Sequence, residues 1–235
     1  MTAGRLILAL GILIGLCVPA AASPLPRSVV FARAFGPDFT VTAKDGATHL
    51  SGLEIGRLDV PSGRIVACDP FACDGAEAFT RSVPTGTFPV QLAMARLPAG
   101  DQRVAFARIL FADRPALRWT MALHPGQHPK DLKSGYFFGY GVDTGTGAFM
   151  DASVQAPYLA ETADSDLTAD LVDVMNRAEA ENRGGLLYAT GPGNVAMISS
   201  GFGDGLYPSY FGLDKAGRVV ALVTDFGVVE WRAGK

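Results

Sequence analysis

The sequence predicts a mainly β protein: an antiparallel β-sandwich or barrel-like single domain with one amphipathic helix near residues 165–182. Three observations predict this fold. Short apolar runs recur along the chain between turn-forming residues. Glycine and proline are abundant, with 28 and 15 copies in 235 residues, which suits many short elements and disfavours a helical bundle. One segment alone shows apolar residues at helical spacing.

Strands are expected where apolar residues alternate with small or polar ones, because alternate side chains of a strand face the core. Residues 88–97 show this pattern most clearly, with Val90, Leu92 and Met94 on one face. A hairpin loop is expected over residues 214–218. It begins with Asp214, a common turn residue, and contains Gly217, which can adopt the positive φ that such a loop needs. The predicted strands are residues 29–35, 39–42, 64–68, 88–97, 104–111, 117–123, 137–142, 195–199, 208–213 and 219–229.

The predicted helix has a capping residue at each end. Ser165 can cap its start and Gly184 can end it. Its apolar face consists of Leu167, Leu171, Val174, Met175 and Ala178. An acidic stripe on another face, formed by Asp166, Asp170 and Asp173, is interpreted as a solvated surface.

The first 22 residues have the three-part pattern of a secretory signal. Arg5 precedes thirteen uncharged, mostly aliphatic residues at positions 6–18, and a small-residue cleavage site ends at Ala22. We therefore expect a signal peptide over residues 1–22, a single β-rich domain over residues 23–235, and a periplasmic or extracellular location. An uncleaved anchor is the alternative, although a spanning helix needs about 20 apolar residues. No later segment is long and apolar enough to span a membrane.

Two cysteines remain after this cleavage, Cys68 and Cys73. In an oxidising compartment two nearby thiols are expected to pair, and Pro70 between them favours the necessary turn. The same cysteines with His124 and His128 formally fit a Cys₂His₂ zinc pattern. The wide separation of the two pairs and the export signal favour the disulfide.

Most candidate functional residues lie in two glycine- and aromatic-rich stretches, at residues 138–151 and 199–210, and two more aspartates lie in the cysteine loop and after the strand residues 219–223. Glycine allows close approach of a ligand to the backbone, and carboxylates there suit a hard cation or a sugar. For each aspartate taken alone, however, turn formation is the favoured explanation. The candidate ligand-binding residues are Asp69, Asp143, Asp151, Asp204, Tyr207, Tyr210 and Asp225.

Several motifs together resemble a bacterial family known only as domain-of-unknown-function family 4241. The resemblance extends from about Gly63 to Val229 and rests on Cys68-Asp69-Pro70 and on residues 83–90, 139–151, 200–210 and 224–226. It implies no activity, because the family has no established catalytic or ligand-binding residues. The export signal and Cys73 are not part of the family's pattern.

These observations predict an exported binding module in which the candidate residues meet in one acidic, aromatic-lined cleft for a small polar ligand or a cation. No cofactor is expected, although a divalent cation is compatible with these acids. One alternative is a hydrolase with paired aspartates, glycosidase-like or, from Asp143-Thr144-Gly145, aspartic-protease-like. Another is a protein-interaction domain of the cell envelope. The net charge of −3 disfavours nucleic-acid binding.

Overall fold

A computed structural model describes residues 24–43 and 46–231, and the predicted signal peptide lies outside these ranges. The fold is mainly β and antiparallel, as predicted, and forms a single domain. The described residues contain three α-helices, α1 (Arg27–Arg33), α2 (Ala152–Glu161) and α3 (Ser165–Ala180). None of them is long and apolar enough to cross a membrane.

Thirteen strands are present in the described ranges. In chain order they are β1 (Phe39–Ala43), β2 (Gly46–Val60), β3 (Ile65–Cys68), β4 (Gly86–Arg96), β5 (Gln102–Leu110), β6 (Arg118–Met121), β7 (Tyr140–Val142), β8 (Thr146–Asp151), β9 (Gly185–Thr190), β10 (Gly193–Ser199), β11 (Gly205–Tyr207), β12 (Ser209–Leu213) and β13 (Val219–Asp225).

The strands form two large sheets and one small one. The larger sheet is curled and has the order β1-β2-β4-β5-β13-β12-β6, and the second has the order β3-β8-β10-β9. The short strands β11 and β7 pair separately, with Tyr207 opposite Tyr140. The main core lies between the two large sheets, where Leu92, Phe149 and Phe211 are fully buried. This is the sandwich interior that the alternating pattern predicts.

Helices cover the outer faces of both large sheets. On the larger sheet, Phe31 of α1 contacts the rings of Phe106, Trp119, Tyr210 and Trp231 with centroid separations of 5.0–5.9 Å. On the smaller sheet, α2 and α3 bury apolar side chains against β8 and β10. The molecule therefore has four layers, with α1 on one outside and α2 with α3 on the other.

The amphipathic helix is confirmed as α3, with one change at its start. The N-cap is Asp164, whose carboxylate accepts from the backbone N–H groups of Asp166 and Leu167. The chain leaves the helix through Asn182 and Gly184, both at positive φ. The predicted hairpin loop between β12 and β13 is also present, with Gly217 at φ 77°.

The strand predicted at residues 29–35 is wrong, because this segment contains α1. Pro26 at the N-cap has a backbone conformation that suits a helix start, and Val30, Phe31 and Ala34 face the sheet at helical spacing. A run of Val and Phe fits a buried strand or a short buried helix equally well. The helix α2 and the strands β2, β8, β9 and β11 were not predicted.

The structure also changes the interpretation of the glycine-rich stretch at residues 138–151. Its second half is β8, which pairs with β3 and β10 and is buried at every position. Only residues 143–145 form a turn, between β7 and β8. The small residues Gly147 and Ala148 therefore serve close packing of a central strand, since a Cβ on Gly147 would lie 2.8 Å from the Tyr140 hydroxyl.

Gly52 is the position where α1 and its following turn contact the sheet most closely. Its N–H donates to the Gly36 carbonyl at 2.7 Å, and a Cβ added there would lie 2.1 Å from the Phe35 carbonyl oxygen. We expect Gly52→Ala to lower the free energy of unfolding by about 3 kcal/mol, since two backbone segments must separate. Gly141→Ala is the matched control, because a Cβ at Gly141 meets open space. Equal urea unfolding midpoints for the two variants would contradict this packing.

Candidate functional site

Cys68 and Cys73 form a disulfide, as predicted, at the end of β3. Both cysteines are buried against α2, where the Tyr158 hydroxyl donates to the Pro70 carbonyl at 3.0 Å. The pairing removes the sulfur ligands that the zinc interpretation needs. His124 instead stacks on Phe79 with ring centroids 4.8 Å apart. The described residues contain no group of three or more His, Cys, Asp or Glu placed to hold a metal ion.

Asp69 lies inside the disulfide loop and is almost fully buried. One carboxylate oxygen accepts from the N–H groups of Asp143 and Thr144, both at 2.9 Å. The other accepts from the Thr144 hydroxyl and from the N–H of Phe71, also at 2.9 Å. Four donors therefore surround this carboxylate, and it joins the disulfide loop to the β7–β8 turn.

The second glycine-rich loop is fastened to the same turn. Asp204 accepts from the Gly145 N–H at 3.1 Å, and the Gly145 carbonyl accepts from the Ser200 N–H at 2.9 Å. Within the loop, the Tyr207 hydroxyl donates towards the carbonyls of Ser200 and Gly203. The Asp204 carboxylate and the Tyr207 hydroxyl thus hold the loop in shape.

Asp151 lies at the opposite end of β8 from this turn and caps α2. Its carboxylate accepts from the N–H and hydroxyl of Ser153 at 2.9 and 2.6 Å, and from the Ser62 N–H at 3.0 Å. Burial alone would raise the pKa of Asp151, but these hydrogen bonds outweigh it and the pKa lies below its usual value. A fully buried, fully bonded cap carboxylate is not exposed to a ligand.

Asp143, like Asp204, is exposed, whereas the other three candidate aspartates are buried. Its side chain has no hydrogen-bond partner among the described residues, although its N–H is held by Asp69. It borders an open cavity of about 390 Å³ together with Asp69 and His124. The single acidic cleft expected from the sequence is therefore divided: Asp69, Asp143 and Asp204 surround one turn, and Asp151 lies elsewhere.

Three of the candidate residues line one pocket. Tyr207, Tyr210 and Asp225 border a cavity of about 540 Å³, which we call the aromatic pocket. Its remaining lining residues are Arg27, Met121, Gly135, Tyr136, Phe137, Leu206, Pro208, Gly227 and Trp231. The pocket lies at the edge of α1, where β12 begins and β13 ends.

Arg27 is held between two aromatic rings in this pocket. Its guanidinium carbon lies 4.4 Å from the Tyr210 ring centroid and 5.1 Å from that of Trp231. One of its nitrogens donates to the Trp119 carbonyl at 3.3 Å. Cation–π contacts and this hydrogen bond fix a half-buried positive charge in the pocket.

Asp225 supplies the pocket's carboxylate. One oxygen accepts from the Gly227 N–H at 2.9 Å and the other from the Trp231 indole N–H. Burial raises the pKa of Asp225 to about 6, although these hydrogen bonds and the charge of Arg27 act in the opposite direction. A carboxyl group that changes charge near neutral pH is thus placed beside a fixed guanidinium.

Part of the pocket lining is apolar and exposed to solvent. Tyr136, Leu206 and Phe137 expose 69%, 52% and 39% of their surface, and all three are among the most exposed large hydrophobic residues described. Sequence reasoning missed Arg27, Tyr136, Phe137 and Trp231. Apart from the neighbours Tyr136 and Phe137 they are distant along the chain, and no local motif connects them.

The comparisons with known proteins identify a family and no activity. The family model described as "Protein of unknown function (DUF4241)" matches residues 58–224. The chain belongs to this family. No curated protein and no solved structure gives a match. The matched region includes Asp69, the β7–β8 turn, Tyr207 and Tyr210, whereas Arg27 and Trp231 lie outside it.

We predict that Asp69→Asn lowers the free energy of unfolding by about 2–3 kcal/mol, since an amide nitrogen would face buried N–H donors. Asp143→Asn is the control on the same turn, with an expected change below about 0.5 kcal/mol because its side chain is exposed. Urea unfolding at pH 7 measures both. Two variants as stable as the parent would show that Asp69 does not hold the turn.

Asp225 should make stability depend on pH. Its pKa of about 6 in the folded protein exceeds the unfolded value, so its stabilising contribution is complete at low pH and is lost as pH rises through about 6. Relative to Asp225→Asn, the parent should lose up to about 3 kcal/mol of unfolding free energy between pH 4 and pH 7. Parallel stability curves for parent and variant over this interval would contradict the raised pKa.

Proposed function

We propose that this protein is an exported binding module that holds a small, neutral, ring-shaped polar ligand, such as a sugar, in the aromatic pocket. The observation that carries the proposal is the combination of Asp225, Arg27 and Trp231 in one cavity with an exposed aromatic wall. Ligand sites are typically concave and largely apolar, with a few polar groups that fix orientation.

The aromatic lining suits a flat ligand. Tyr136 and Phe137 contribute exposed aromatic surface, and Tyr210 with Trp231 contribute the rings that hold Arg27. Aromatic rings bury apolar faces without demanding hydrogen bonds from the ligand's interior. The volume of about 540 Å³ accommodates one or two rings of this kind.

The charges favour a neutral ligand. At pH 7 an acid with a pKa of about 6 is mostly ionised, so Asp225 and Arg27 approximately cancel. A charged ligand would be attracted by one of these two groups and repelled by the other. Hydroxyl groups both donate and accept, and can therefore bond to a carboxylate and a guanidinium together.

Export is supported by two independent features. The N-terminal residues have the composition of a secretory signal. The protein also contains a buried disulfide, and disulfides persist mainly in oxidising compartments. We therefore propose a periplasmic or extracellular location for the folded domain.

Ligand binding should depend on Tyr136. This residue is 69% exposed, so we expect its truncation to leave the fold intact. We predict that Tyr136→Ala weakens binding of the best ligand from a panel of neutral mono- and disaccharides by about tenfold, through loss of ring contact. Phe202→Ala is the matched control, since Phe202 is 66% exposed and lies outside the pocket lining. Tryptophan fluorescence, with Trp231 as the local reporter, measures the affinity.

Two results would contradict the proposal. One is the absence of any response in the parent to the whole panel, by fluorescence and by thermal shift. The other is equal loss of binding in Phe202→Ala and Tyr136→Ala.

A protein-interaction domain is the second candidate, and one observation favours it. Tyr136, Phe137 and Leu206 together form an exposed apolar rim that a partner's side chain could cover. A photo-crosslinking residue at position 136 would give a discrete protein adduct in cells, absent with the same residue at position 202. The aromatic pocket itself does not supply the carboxylate pair of a hydrolase, because Asp225 is the one carboxylate in its lining in the described ranges.

A further inference from the structure

A second cavity, of about 400 Å³, lies on another side of α1. We call it the Arg108 cavity. Residues from α1 and its following turn, from β5 and from the segment before β6 border it, and the residues used below are Phe35, Arg108, Asp113, Arg114 and Trp119. None of them lines the aromatic pocket, so the two cavities are separate.

Arg108 is a half-buried cation without a direct counter-ion. Two of its nitrogens donate to the Gln91 side-chain oxygen at 3.1 and 2.5 Å, and its guanidinium carbon lies 4.1 Å from the Phe35 ring centroid. Both of these partners are neutral. Among the described residues, no carboxylate lies within 4.0 Å of its nitrogens.

Burial is unfavourable for this charge. Desolvation lowers the pKa of Arg108 to about 10, against the opposing attraction of Asp113. A buried charge is normally paired, and an anion entering the cavity would supply the missing partner. Arg's planar guanidinium suits a carboxylate in particular, because both groups are planar and can form two parallel hydrogen bonds.

Other polar groups belong to residues of the same lining. The indole N–H of Trp119 is buried without an acceptor, although most buried donors have one. Arg114 adds a second positive charge, and one of its guanidinium nitrogens lies 3.8 Å from a carboxylate oxygen of Asp214. Asp113 is the acidic side chain in the lining, so the cavity carries two guanidinium groups and one carboxylate.

The rest of the lining is apolar. It comprises Phe31, Ala32, Phe35, Leu110, Pro115, Ala116, Val220 and Ala221, with Gly36. Inorganic phosphate would leave these surfaces hydrated, whereas an organic acid would cover them. A charged head at Arg108 and an apolar body along Phe35 therefore match the cavity.

We propose that the Arg108 cavity binds the carboxylate of a small organic acid with an apolar body. The carboxylate pairs with the Arg108 guanidinium, and the apolar body covers the Phe35 and Pro115 side of the cavity. This site is independent of the aromatic pocket and of the ligand proposed there.

Benzoate and benzamide test the proposal on the whole protein, because they share a ring and differ in charge. Chemical-shift titration should show benzoate binding at least about tenfold more tightly than benzamide. Arg108→Met should abolish the preference for benzoate. Arg103→Met is the matched control on the same strand, since Arg103 pairs with Glu179 outside the cavity and its removal should leave benzoate binding unchanged.

Arg108→Lys provides a second test if Arg108→Met fails to fold. It keeps the charge but cannot form two parallel bonds, so benzoate should bind about tenfold more weakly than to the parent. Equal binding of benzoate and benzamide, unchanged benzoate binding in Arg108→Met or Arg108→Lys, or no benzoate binding to the parent at millimolar concentration would each overturn the proposal. Tighter binding of inorganic phosphate than of benzoate would overturn the proposal that the ligand has an apolar body.

Discussion

The hydrogen bonds to Asp69 are the interaction on which the loop region depends. Four donors from two separate segments converge on one buried carboxylate beside the disulfide. They fix the turn between β7 and β8, and Asp204 and Ser200 attach the second loop to that turn. Because β7 pairs with β11, the same contacts position Leu206 and Tyr207 in the wall of the aromatic pocket. A carboxylate outside the pocket lining thus helps to position two of its lining residues.

The buried aspartates among the described residues have two distinct environments. Asp69, Asp151 and Asp214 are buried and accept hydrogen bonds from backbone N–H groups in turns or at a helix start, which leaves little capacity for a ligand. Asp225 is also buried, but it borders a cavity with a fixed guanidinium and aromatic rings. Proximity to glycine in the sequence does not distinguish these cases. The donors that surround each carboxylate do.

Local pattern was sufficient for the β class, the disulfide, the helix α3 and the hairpin at residues 214–218, because each depends on neighbouring residues. It failed at α1, where Val30 and Phe31 fit either a strand or a helix until the sheet beneath them is known. It also failed for the site. Arg27 and Trp231 meet Asp225 only after β12 and β13 have paired and α1 has packed on them. No spacing pattern in the sequence predicts these long-range contacts.

Hydrogen exchange of the Asp143 and Thr144 amides tests the structural role of Asp69 most directly. Both residues lie in a solvent-exposed turn, where amides ordinarily exchange quickly. If the buried carboxylate holds them, their exchange should be slowed to the range of the β8 and β10 core amides. Exchange as fast as that of unprotected loop amides would contradict the account. Fast exchange would mean that the Asp69 oxygens are available for a ligand, as expected for the single acidic cleft predicted from the sequence.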